Sequence, residues 1–227
     1  MLVRMLGHHQ PRMLKLVDLH KSFGTTPVFS AVSLTLERGE FVALLGESGV
    51  GKSTLLNCIA GLEDADGGQV SVDGVELSGL GDDGRARLRR RTLGFVFQAF
   101  HVLPHLSVAE NVSLPLRLLA RDDPARVLAV LDAVGLTGLG ARLPAQLSGG
   151  QLQRVAIGRA VVHAPGLILA DEPTGNLDPT TAERVMSVLH EQVRGAGAAC
   201  LLVTHSAMAA ARADRVLRLT PTGMVAA

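Results

Sequence analysis

The sequence predicts an α/β fold: a mostly parallel sheet flanked by helices, with an antiparallel β flank and an inserted α-helical subdomain. Three observations predict it. Continuous apolar runs of strand length, at residues 41–45, 167–170 and 199–203, are separated by helical patterns, as parallel strands buried on both faces require. Other segments alternate instead. Val32, Leu34 and Leu36 interleave with Ser33, Thr35 and Glu37, and Val70 and Val72 precede an Asp73-Gly74 turn, so these are half-buried antiparallel strands. Finally, a glycine-rich loop at residues 46–54 joins an apolar strand to a helix.

Composition sets the bounds. A chain of 227 residues suits one compact domain, and 47% hydrophobic content is ample for its core. With six Phe and no Trp or Tyr the core is aliphatic, and base-stacking surfaces of the single-strand-binding kind are not expected. A net charge of +1 gives no global attraction to nucleic acid or anionic membrane. Cys58 and Cys200 lie in apolar surroundings and form no C-x-x-C pair, so neither a zinc site nor a disulfide framework is suggested, which fits a reducing cytosol. No apolar run approaches the roughly 20 residues needed to span a bilayer. The chain is therefore expected to be soluble by itself, with any membrane role supplied by a partner.

Residues 1–12, with His8-His9 and Pro11, read as an N-terminal tail, and the domain runs over 13–227. Its core occupies about 13–98 and 166–227, and the helical subdomain about 99–165. A strand over 13–19 is followed by Phe23 on a loop, then by the alternating strand at 32–37 and an Arg38-Gly39 turn. After the glycine-rich loop, Leu55, Leu56, Ile59 and Ala60 have helical spacing. Residues 61–68 form an acidic turn, 69–75 a strand, and the five arginines of 85–91 a solvated helix. Gly94-Phe95-Val96-Phe97 is a short buried strand ending at Gln98. Proline-punctuated helices follow; one starts at Asp123-Pro124 with Val127, Leu128, Leu131 and Val134 on its apolar face. Strand 167–170, a helix from Asp178-Pro179, strand 199–203, a short helix at 207–212 and a strand at 215–219 close the chain.

The loop Gly46-Glu47-Ser48-Gly49-Val50-Gly51-Lys52-Ser53-Thr54 has the spacing G-x-x-x-x-G-K-[ST], the P-loop. Glycines let backbone N–H groups converge on an anion, and the helix that follows adds its positive end. Lys52 reaches β- and γ-phosphates, and Ser53 offers a hydroxyl to Mg²⁺. The spacing implies a nucleoside triphosphate ligand. Leu167-Ile168-Leu169-Ala170-Asp171-Glu172 places two carboxylates at the end of a buried strand. Asp171 can serve Mg²⁺ while Glu172 faces the γ-phosphate and polarises water. Ser148-Gly149-Gly150-Gln151, opening another helix, is a second anion cradle, or simply a helix cap.

This set of motifs resembles the ATP-binding-cassette ATPases from about residue 13 to 219. Residues 46–53 look like the Walker A loop and Gln98 like the Q-loop glutamine. Leu147 to Gln151 match the family signature, and residues 167–171 match Walker B with Glu172 as catalytic glutamate. Asn176-Leu177-Asp178 resemble the D-loop, His205 the switch histidine, and Phe23 falls where the family places an aromatic against adenine. The stretch 170–178, Phe95-Val96-Phe97-Gln98, Leu103-Pro104 and Glu110-Asn111-Val112 are similar to the lipoprotein-releasing, macrolide-efflux and cell-division type. Departures are Leu152 after the signature, Ser206 after the histidine and Phe23 for the commoner Tyr. The resemblance implies ATP and Mg²⁺, with Gln98 a switchable Mg²⁺ ligand, and a head-to-tail homodimer holding ATP between the P-loop and the opposing signature. It also implies a separate permease contacted through the helical subdomain, and a peripheral location on the cytoplasmic side of the inner membrane. DNA-repair cassettes carry coiled coils or zinc modules and ribosome-acting ones two P-loops, and neither feature occurs here. Glu172 and His205 together argue against a non-hydrolysing module. A cassette linked to division or signalling is the alternative within the family.

Overall fold

The computed structural model describes residues 12–175 and 177–227. The expected tail lies outside the described residues apart from Arg12, which already belongs to the first strand. That strand, β1 (Arg12–Phe23), turns at Gly24 (φ 59) into β2 (Thr26–Glu37). Phe23 is thus a strand residue opposite Thr26 rather than part of a loop, because the turn is too short to free it. The apolar β3 (Phe41–Leu45) leads through the glycine loop to α1 (Lys52–Ile59). β4 (Gly67–Val72) and β5 (Val75–Glu76) form the hairpin that Asp73-Gly74 signals, with Asp73 at φ 49 and Gly74 at φ 76.

α2 (Asp82–Thr92) buries no residue. Asp82 and Asp83 in its first turn and Arg89, Arg90 and Arg91 in its last complement the helix dipole, which suits a solvated helix. β6 (Leu93–Val96) stops one residue short of Phe97, whose ring stacks on Phe95 with centroids 3.9 Å apart. Then come α3 (Val108–Leu118), closed by a Ser107/Glu110 capping box, and α4 (Pro124–Ala133), capped by Asp123 with proline in the first turn. The buried face of α4 is Val127, Val130 and Leu131, continued by Val134, whereas Leu128 is 66% exposed. The i, i+3, i+4, i+7 stripe passes through Val130 and corrects the expected face. α5 (Gly149–Val161), β7 (Leu167–Asp171), α6 (Pro179–Ala196), β8 (Ala199–Val203), α7 (Ala207–Ala210) and β9 (Arg215–Thr220) follow as patterned. A final strand, β10 (Gly223–Ala226), was not expected. It lies at the sheet edge with Val225 exposed, so burial leaves little apolar pattern to read.

The antiparallel sheet has the order β2-β1-β4-β5, and the larger sheet β10-β9-β3-β8-β7-β6, parallel except for β10. The large sheet divides its side chains between two apolar clusters. Phe41, Val96, Ile168, Cys200 and Leu202 join residues of α3 to α6 on one face. Val42, Leu44, Leu167, Leu169, Leu201 and Val203 join α1 and the antiparallel sheet on the other. Alternate residues serve opposite faces, which is why these strands read as unbroken apolar runs. The helical stretch at 99–165 shares the first cluster with the sheet.

One buried polar residue fixes the loop before α3. Asn111 is fully buried; its amide donates to the carbonyls of Leu103 (3.0 Å), Leu106 (2.9 Å) and Ser107 (3.1 Å) and accepts from Leu103 N–H (2.9 Å). Asn111→Ala should strand these groups and lower unfolding free energy by about 1–3 kcal/mol in a urea titration. An unchanged midpoint would remove this role.

Candidate nucleotide site

β3 delivers the chain to a loop that only glycine can form at its close. Gly49 and Gly51 sit at φ 82 and 98, and a Cβ on Gly51 would lie 2.3 Å from Val28 Cγ1. Val28 is the residue that sequence reasoning missed: it comes from β2, in the other sheet, and no motif marks it. α1 starts at Lys52 without a side-chain cap and without an acidic residue in its first turn, which leaves its first amides with no side-chain acceptor and suits an anion at that end. Lys52 is buried, and its Nζ donates to Gly46 O (2.9 Å) and Glu47 O (2.8 Å), which holds the ammonium beneath the loop. Val50 is half-buried against the second apolar cluster.

A cleft of 280 Å³ opens beside this loop. Ser48, Gly49, Gly51, Lys52, Ser53 and Thr54 form one wall, and Gln98, Asp171, Glu172 and His205 the other. The sheet explains the second wall. β6, β7 and β8 are adjacent and parallel, so residues that follow their carboxyl ends emerge side by side. Asp171 pairs in register with Val203 and is buried, and its carboxylate makes no hydrogen bond among the described residues. Glu172 leaves the strand at φ 48, with its N–H donating to Val203 O (2.9 Å). Glu172 Oε2 accepts from His205 N–H (3.3 Å), and Oε1 lies 3.4 Å from His205 Nε2 with no hydrogen bond of its own. A buried carboxylate oxygen left without a partner, on a residue that lines the cleft, is a group that a bound water could satisfy. The Ser53 hydroxyl, the Gln98 amide and the Asp171 carboxylate are hard oxygen donors on this one cleft, a set that fits Mg²⁺. No group of three His, Cys, Asp or Glu residues gathers among the described residues, so such an ion needs oxygens from its ligand to complete its shell.

The other predicted residues lie elsewhere. Ser148 caps α5: it accepts from Gln151 N–H (3.3 Å), while its own N–H donates to Gln151 Oε1 (2.8 Å). Ser148, Gly149, Gly150 and Gln151 do not line the cleft of their own chain. Phe23 is 54% exposed at the end of β1, outside the cleft lining, with Lys21 Nζ 5.1 Å from its ring centroid. Asn176 lies outside the described residues. Asp178 caps α6, and hydrogen bonds from the Thr181 side chain and backbone hold its carboxyl below the usual carboxylate range.

Comparison with known proteins identifies the architecture. The family model described as ABC transporter matches residues 29–175, more than half of the chain. The chain belongs to the ABC transporter family. It is an ATP-binding, ATP-hydrolysing cassette of that family. It is 49% identical over 206 residues to the lipoprotein-releasing system ATP-binding protein LolD of Anaeromyxobacter dehalogenans, covering 88% of this chain and 86% of that one. The protein of the same description from Bordetella pertussis is 48% identical over 195 residues, covering 85% and 84%. The dimeric structure of MJ0796, a bacterial ABC transporter cassette, superposes with a TM-score of 0.88 at 38% identity, covering 93% of this chain and 96% of that one. A post-hydrolysis dimer of MJ0796 bound to ADP and Pi also gives 0.88, at 36% identity over 94% and 98% of the two chains. No helix among the described residues is long and apolar enough to cross a membrane.

Lys52→Ala should abolish nucleotide binding or nearly so, because it deletes the cation under the phosphate loop. Titration with a fluorescent ATP analogue checks this, and wild-type affinity would take Lys52 out of the site.

Proposed function

We propose that the chain is the ATPase subunit of a lipoprotein-releasing transporter, working as a head-to-tail homodimer on a separate membrane permease. The observation that carries the dimer is the separation of the two anion cradles. The helix start at Ser148 is exposed, glycine-flanked and outside its own cleft. In a head-to-tail pair each such helix end would close the other subunit's cleft. The dimeric MJ0796 cassettes support the arrangement, and the names of the relatives at 43–49% identity support the lipoprotein class.

In this reading Lys52, Ser53 and the amides of residues 47–54 bind and orient the triphosphate, and Phe23 stacks on adenine. Mg²⁺, held by Ser53, Asp171 and Gln98, neutralises phosphate charge when bound. Glu172 orients the attacking water and takes its proton, and His205, against the same carboxylate, fixes its direction. Ser148, Gly149, Gly150 and Gln151 donate to the opposite subunit's γ-phosphate, so closure requires ATP. The permease engages the helical part, about residues 99–165. A 420 Å³ groove with an apolar floor of Phe95, Phe97, Leu114, Pro115 and Leu118 lies between α2 and this part, ready for a permease segment. The permease holds the cassette at the cytoplasmic face of the inner membrane.

Glu172→Gln keeps the side-chain shape and removes the charge. Hydrolysis should fall by on the order of 10²-fold or more, the scale of losing a general base, while ATP binding persists. With ATP trapped, the variant should elute from a sizing column as a dimer in ATP and a monomer without it. Full turnover by this variant would move the base elsewhere, and a monomer in saturating ATP and Mg²⁺ would argue against closure by nucleotide alone.

A further inference from the structure

Gln98 reaches the cleft from a turn that its own sequence does not secure. Just beyond it the backbone passes through Phe100 (φ 61) and His101 (φ 46), consecutive non-glycine residues in the left-handed region that L side chains disfavour. Local contacts exist: Phe100 N–H donates to Phe97 O (3.2 Å), and the His101 ring meets Phe97 edge-on at 4.6 Å. The tie from outside the turn is Arg159. Its guanidinium donates to His101 O (2.7 Å) and Phe100 O (2.9 Å), one carbonyl from each strained residue. No carboxylate pairs with Arg159 among the described residues, and burial lowers its pKa below the usual guanidinium value. Two adjacent carbonyls suit the planar fork of arginine better than the single ammonium of lysine.

The position of Arg159 gives the clamp its meaning. α5 carries Ser148 at its start and Arg159 in its last turn. Arg159 and His101 also line the 420 Å³ groove. We infer that Arg159 is a positioning residue: by holding the left-handed corner at Phe100-His101 it holds Gln98 in the cleft. It thereby ties the helix that serves the opposite subunit to the glutamine of its own site. The inference rests on the reading of Gln98 as a metal-facing group given above.

The test uses the full chain with Arg159→Met, Arg159→Lys, Gln98→Ala and the double variant Gln98→Ala/Arg159→Met. Backbone amide exchange at residues 98–101 is measured without nucleotide or metal. Mn²⁺ affinity is then measured by electron paramagnetic resonance with a non-hydrolysable ATP analogue. Arg159→Met should speed exchange at 98–101 and weaken Mn²⁺ binding by roughly 10- to 100-fold, the scale of losing an outer-shell partner of a metal ligand. Arg159→Lys should recover part of both, and the double variant should be no weaker than Gln98→Ala alone. Wild-type Mn²⁺ affinity in Arg159→Met beside a weakened Gln98→Ala overturns the inference alone, as does a multiplied loss in the double variant. Wild-type affinity in Gln98→Ala overturns the reading of Gln98 and the inference with it. Should Arg159→Met fail to fold, Arg159→Lys carries the same comparison.

Discussion

The structure depends on burying β3, β8, β7 and β6 on both faces at once. Their side chains alternate between two apolar clusters, and a fully buried Leu or Val contributes about 1.5–3 kcal/mol relative to exposure. Because the strands are parallel and in register, their carboxyl ends lie in a row. The phosphate loop follows β3, Gln98 follows β6, Glu172 follows β7 and His205 follows β8. The chemistry therefore rests on packing several residues away. A slip of one residue in β7 would turn Asp171 from the cleft and bury a different pair.

Two local features sharpen that frame. Gly51 takes a left-handed conformation against Val28, so the loop closes only where the antiparallel sheet is docked on the core. Glu172 adopts φ 48, a conformation costing a non-glycine residue about 1–3 kcal/mol. The bonds from Glu172 N–H to Val203 O and from His205 N–H to Glu172 Oε2 hold it there. Strain at this cleft-lining residue is tolerated because β7 and β8 determine its surroundings on both sides.

Much of this was legible in the sequence, for physical reasons. Strands buried on both faces have no polar face to confuse the reading, so β3, β7 and β8 stand out, and Asp123-Pro124 and Asp178-Pro179 mark helix starts by cap chemistry. Local glycine, lysine and carboxylate spacing exposed the loop residues, Asp171 and Glu172, whereas Gln98 and His205 were marked only by the family resemblance. What escaped was set by tertiary contact. β10 is an edge strand with little to bury, and Leu128 sits one step off a stripe that Val130 completes. The roles of Val28, Asn111 and Arg159 lie in backbone atoms or glycines of other elements, which no local pattern encodes.

The central claim is that each nucleotide is completed by a second copy of the chain. The most direct measurement is ATP hydrolysis by Ser148→Arg protein, alone and mixed with Lys52→Ala protein. The account predicts that Ser148→Arg binds ATP yet does not turn it over. Mixing should restore activity, because the Lys52 of one chain and the Ser148 of the other rebuild one intact site. Wild-type turnover by Ser148→Arg alone would contradict it.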